Sequence, residues 1–137
     1  MKKTEIVAIF VVNSKGDFFV HQRLASKKKF PNKFGIGAGG HIDHGESPKD
    51  AACRELQEET GLQTPVHFMC KAEFNETDFQ QVSYLFITKS EGPIQTDKSE
   101  WQWSGWMTKP EVDKLEQEDK LCTDTAEMYR RYILSIT

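Results

Sequence analysis

The chain has 137 residues and a formal net charge of −3, with 28% charged and 37% apolar residues. That length suits one domain, 1–137, with a core of its own, and the mildly acidic balance excludes the strongly basic footprint of bulk nucleic-acid binding. No apolar run approaches the ~18 residues of a membrane span, and Cys53, Cys70 and Cys122 are odd in number and lack metal-ligand spacing. Free thiols and a cytoplasmic location are expected.

Ile6 to Val12 is apolar throughout, as for a strand covered on both faces, and Glu5 before it argues for a strand over a signal peptide. Turn residues 13–17 lead to a second strand, Phe18 to Arg23, so a hairpin is expected. The segment 24–33 gathers Lys27, Lys28, Lys29 and Lys33 around Phe30 and Pro31. It reads either as a solvated basic loop or as a cationic rim on which Arg23 and one or more lysines neutralise phosphate oxygens. Gly35 to Gly40 satisfies G-x-G-x-x-G, but no helix opens there, and dinucleotide binding is not expected. His41 and His44 cannot share a regular helix across Gly45 and Pro48; His44 reads as a loop residue.

Ser47 as N-cap, Pro48 in the first turn, Asp50 behind it and Gly61 as C-terminal cap predict a helix from 48 to about 60. At about 100° per residue, with Ala51 at zero, Glu58 falls near −20°, Glu55 near 40° and Glu59 near 80°. Three carboxylates share an arc with Ala51. Like charges at these spacings destabilise a helix, so the arc is either a solvated face, with Arg54 pairing Glu58, or a site for a cation. Clustered hard oxygen ligands suit Mg²⁺ or Mn²⁺.

Val66 to Phe74 and Gln80 to Thr88 read as strands joined by the turn Asn75–Asp78, and Glu100 to Trp106 as a strand carrying tryptophans. Trp101 or Trp103 either fills the core or stacks a flat group of a substrate. A short helix is expected over Pro110–Glu118. A longer one over Asp124–Ile136, capped near Thr123 or Asp124, would pack through Met128, Tyr132 and Ile136.

Gly40, Glu46, Arg54-Glu55-Leu56, Glu58-Glu59 and Gly61-Leu62 match every fixed position of the signature of the Nudix hydrolases, which the chain therefore resembles. The resemblance implies an α/β fold, an α/β/α sandwich around a mixed β-sheet. It also implies Mg²⁺-dependent (Mn²⁺ as the substitute) cleavage of a phosphoanhydride in a small diphosphate-containing molecule, in a protein that often dimerises. Carried over by position, Glu58 and Glu59 are the main metal ligands and Glu55 is ligand or base. Glu46 and Arg54 orient the helix, and the Gly39 carbonyl and Glu100 complete the metal site. Gln22 to Pro31 with Gly40-His41 is similar to type I isopentenyl diphosphate isomerases, which adds Arg23 and Lys27 as diphosphate holders and His41 as a metal-ligand candidate. Gly39 stands where those enzymes carry a catalytic cysteine, and both Glu58 and Glu59 are kept where they lose one, so hydrolysis is favoured over isomerisation. Retention of Glu46, Glu55, Glu58 and Glu59 likewise favours an enzyme over a domain that only binds nucleotides.

Overall fold

A computed structural model describes residues 3–77, 79–96 and 100–137. Strand β1 (Thr4–Val12) lies at its centre. It runs parallel to β6 (Phe79–Lys89), from Thr4 opposite Gln81 to Val12 opposite Lys89. On its other side it pairs antiparallel with β4 (Ala38–His41) and, at Val12, with the start of β2 (Phe18–Arg23). β3 (Phe34–Ile36) and β7 (Trp101–Met107) add to β2, and β5 (His67–Glu76) to β6, all antiparallel. The sheet is therefore mixed.

The apolar run of β1 reflects cover on both faces. Val7, Ile9 and Val11 are fully buried with Ala51, Ala52 and Leu56 of α1 (Pro48–Thr60). Phe10 and Val12 enter the opposite core, with Val112 and Leu115 of α2 (Lys109–Gln117) and Met128, Tyr129 and Tyr132 of α3 (Thr123–Ile136). Three layers result, α1 on one face and α2 with α3 on the other. Among the described residues no helix is long and apolar enough to cross a membrane, and the three cysteines are free thiols.

The helix over 48–60 forms as its caps predict: Ser47 accepts the Asp50 N–H at 3.1 Å, and Gly61, at φ +75°, donates to the Gln57 carbonyl. In the hairpin turn, Asn13 Oδ1 takes the N–H groups of Lys15 and Asp17. Asp78, expected in the 75–78 turn, lies outside the described residues.

Two expectations need correction. The N-cap of α3 is Cys122, without a side-chain hydrogen bond. Asp124 sits inside the first turn because its carboxylate is spent on the Thr125 N–H and on Gln81. Ile136 does not pack; it is 56% exposed, and Tyr129 takes the inner position beside Met128 and Tyr132. The glycine run 35–40 holds two short strands, which its composition disguises. Gly37, at φ +68°, turns the chain between them with its N–H on the Phe19 carbonyl, and a Cβ there would lie 1.8 Å from the Ile9 carbonyl oxygen. Backbone meets backbone so closely that a side chain is excluded.

Gly37→Ala should therefore lower stability by about 3 kcal/mol or more, strain and collision adding. Gly16→Ala, at φ +81° but with nothing within 4 Å, should cost only the roughly 1–2 kcal/mol of the left-handed backbone. Urea denaturation of both variants checks the contrast.

Candidate active site

Helix α1 presents Glu55, Glu58 and Glu59 toward the edge of β4, where the chain is reduced to glycine. A Cβ on Gly40 would stand 2.4 Å from the Glu55 carboxyl carbon. The Gly39 N–H donates to Glu59 Oε1 at 2.7 Å. Missing side chains thus let two carboxylates lie against the strand.

Arg54 ties the group together. Its Nε and Nη2 hold the two oxygens of Glu46 at 2.8 and 2.9 Å, Nη1 reaches Glu55 at 2.8 Å and Glu58 at 3.4 Å, and Nη2 also donates to the His41 carbonyl at 3.0 Å. A guanidinium has five N–H donors, and each has a target here. Hydrogen bonds from Arg54 hold the Glu46 carboxyl down to about 2, and Glu46 in turn raises Arg54 above its usual range. Glu46 also closes its own loop by accepting the Asp43 N–H at 2.9 Å.

Opposite forces act on the other carboxylates. Burial pushes Glu59 up to about 8, and the charges of Glu55, Glu100 and Glu58 add to that against the single Gly39 hydrogen bond. Burial also raises Glu55, with Arg54 opposing. Such a cluster of hard oxygen donors, one of them made hard to ionise by its burial, fits a divalent cation. As described, no three His, Cys, Asp or Glu side chains among the described residues converge on one point, because Arg54 and Gly39 take oxygens of Glu55, Glu58 and Glu59.

The carboxylates line one end of a cavity of about 580 Å³. Gly39, His41 and Glu100 are on its wall with them, as are Arg23 and Trp101. Trp101 is 9% exposed and stacks at 4.2 Å on His21, whose Nδ1–H donates to the Gly37 carbonyl and whose pKa burial lowers to about 4. His21 is thus neutral and props the β3–β4 corner. Four candidates lie off the wall: Glu46 and Arg54 pair with each other, Lys27 is bound to Glu100 at 2.7 Å, and Trp103, 41% exposed, sets its ring edge-on to Phe34. Residues not singled out from the sequence complete the cavity, among them Asp43, Lys29, Phe30, Gln81 and Asp124. They come from four separate segments, and no local pattern connects them.

In metal-free buffer the raised Glu59 has a readable consequence. The folded state binds its proton more tightly than the unfolded chain, so Glu59's contribution to stability is fully present below about 4.5 and is lost as pH rises toward about 8. Thermal melts in chelator across that range check this, and Glu59→Gln should flatten the slope. Gly40→Ala should displace Glu55 and lower any metal-dependent turnover at least about tenfold, a shift of ~1.4 kcal/mol, with steady-state rates as the readout.

The NUDIX domain model matches residues 2–132. An uncharacterized Nudix hydrolase of Pseudomonas aeruginosa is 30% identical over 128 residues, covering 91% of this chain and 75% of the relative. The 8-oxo-dGTP diphosphatase of Escherichia coli is 40% identical over 73 residues, half of each chain. In structure, DR0079 from Deinococcus radiodurans superposes with a TM-score of 0.79 at 23% identity, over 93% of this chain and 82% of that one. With Gly40, Glu55, Glu58 and Glu59 of its signature on one cavity and its layers arranged as in that structure, the chain belongs to the Nudix hydrolase family.

Proposed function

We propose that this chain hydrolyses a phosphoanhydride bond in a small molecule built on a diphosphate, with Mg²⁺ or Mn²⁺ as cofactor. The observation that carries the proposal is the placement of Glu55, Glu58, Glu59 and Glu100 on one cavity wall, with Arg23 on the same cavity. Glu58, Glu59, Glu100 and the Gly39 carbonyl would hold the cation, with His41 beside them. Bound there, it would offset charge on phosphoryl oxygens and acidify a water.

The protein's own groups have separable tasks. Arg23, steadied by its Nε–H donating to the Lys29 carbonyl at 3.0 Å, faces the cavity and would neutralise phosphate oxygens. Glu55 spends Oε1 on Arg54. Its other oxygen would accept the proton of the attacking water, a role that burial favours by making the carboxylate more basic. Lys27, bound to Glu100, would leave that carboxylate when a diphosphate enters. Glu46 touches no substrate in this scheme; through Arg54 it fixes where Glu55 and Glu58 stand. The alkene-isomerising alternative finds no support, since the cysteine on the cavity wall is Cys122, whose thiol burial pushes up to about 12.

The substrate panel spans compounds that share a diphosphate: nucleoside triphosphates, including the 8-oxo-dGTP for which the Escherichia coli relative is named, nucleotide sugars, dinucleoside polyphosphates, 5′-triphosphate RNA and prenyl diphosphates. Release of phosphate or pyrophosphate should require Mg²⁺ or Mn²⁺. Glu59→Gln should lower kcat by about 10³-fold or more, about 4 kcal/mol of transition-state stabilisation, while the substrate's affinity stays within a few-fold. Metal-independent turnover, or wild-type rates in Glu59→Gln, would overturn the reading.

A further inference from the structure

The sheet ends differently at its two sides. In the strand order β3, β2, β1, β6, β5, the terminal β3 is three residues long and its Phe34 is bridged to Leu121. At the other end β5 runs for ten residues, holds no proline and, among the described residues, pairs with β6 alone. None of its residues lines the cavity.

The outer edge of β5 is a regular row of backbone groups. The Lys71 carbonyl accepts from Arg131 Nη1 at 3.2 Å and so points away from β6. Alternate residues of an antiparallel strand turn their N–H and C=O to the same side, so Glu73 and Asn75 present theirs outward as well. The one register shift against β6 falls between Phe68 and Cys70, before this stretch, and from Cys70 to Glu76 the pairing is unbroken. A straight edge of this kind is a template for another strand.

The side chains say which strand fits. Ala72 and Phe74 are buried in the core beneath α3, which leaves Lys71, Glu73 and Asn75 exposed on the other face. Lys71 Nζ lies 5.6 Å from the centre of the Tyr84 ring, and Glu73 meets Lys3 through Oε2 at 3.3 Å while staying half exposed. An antiparallel copy of β5 has to set outward residues against outward residues. With Ala72 on a two-fold axis, Lys71 faces Glu73 of the second copy and Glu73 faces its Lys71. Sliding by one pairing step in either direction sets Lys71 against Lys71 or Glu73 against Glu73, and like charges directly opposite are destabilising. The register that matches charge also matches backbone, since Lys71 and Glu73 then exchange N–H···O bonds across the joint.

We propose that two copies of this chain associate through β5, antiparallel about a two-fold axis at Ala72, so that one sheet continues through both. Such an interface is self-complementary, each copy supplying the same patch. Arg131, also bound to Glu127 at 2.9 Å, holds the place of the incoming strand in the single chain. On association it keeps Glu127 and yields the Lys71 carbonyl to the N–H of Glu73 of the second copy.

Sedimentation equilibrium of the full chain at rising concentration should resolve a monomer and a dimer. Glu73→Lys and Lys71→Glu, each verified as folded by thermal melting, should each weaken the dimer at least about tenfold, because each leaves like charges facing across the joint. Mixing the two variants in equal amounts should restore association as a heterodimer, and so should both changes placed in one chain, since either arrangement opposes unlike charges again. A wild-type chain that stays monomeric at every concentration, a dimer indifferent to Glu73→Lys, or folded single variants that remain apart when mixed would each overturn the proposal.

Discussion

Arg54 is the side chain on which the geometry of the site depends. All five of its N–H groups meet oxygens, from Glu46, Glu55, Glu58 and the His41 carbonyl. A cation so placed does two things at once. It offsets repulsion among carboxylates that α1 forces onto one arc, and it joins the helix to the strand that leads into it. A lysine would supply the charge without the fork, and the carboxylates would lose their common reference.

The second constraint is steric and is met by absence. Gly37, Gly39 and Gly40 bring backbone against backbone or backbone against carboxylate, with a Cβ at each clashing at 1.8, 2.7 and 2.4 Å. That permits β4 to lie beside β1 with α1 directly above its edge, so that Gly39 can donate to Glu59 while Glu55 fills the space over Gly40. Sheet pairing and the carboxylate site are therefore one structure. The resulting burial, with the neighbouring carboxylates adding to it, is what raises Glu59 and makes the cluster receptive to a divalent ion.

Charge is then distributed over the cavity: carboxylates by β4 and α1, Arg23 in the loop wall, and Lys29 and Asp124 on either side of Gln81, each bonded to its amide. These last three come from the loop after β2, the start of β6 and the first turn of α3. The parallel pairing of β1 with β6 brings Gln81 onto the same sheet face as Ile6 and Ala8. Topology, more than any one element, brings these distant groups onto one cavity.

Local signals were sufficient wherever a residue's role depended on its near neighbours in the chain. Ser47, Pro48 and Gly61 delimit α1 through caps that span three or four residues, and the 3.6-residue period places Glu55, Glu58 and Glu59 together whatever surrounds them. The unbroken apolar run of β1 likewise announces cover on both faces. Tertiary structure decided what depends on distant chain. The strands hidden in 34–41 form because glycine admits the Ile9 and Val7 carbonyls, an advantage that strand propensity counts as a penalty. Lys27 and Lys29 are alike in sequence, yet one is bound to Glu100 and the other stands at Gln81. Asp124, an apparent cap, is committed to a glutamine 43 residues away. Periodicity and capping act over a few residues and are written locally; pairing, burial and charge contact act through space, and only the folded chain brings their partners together.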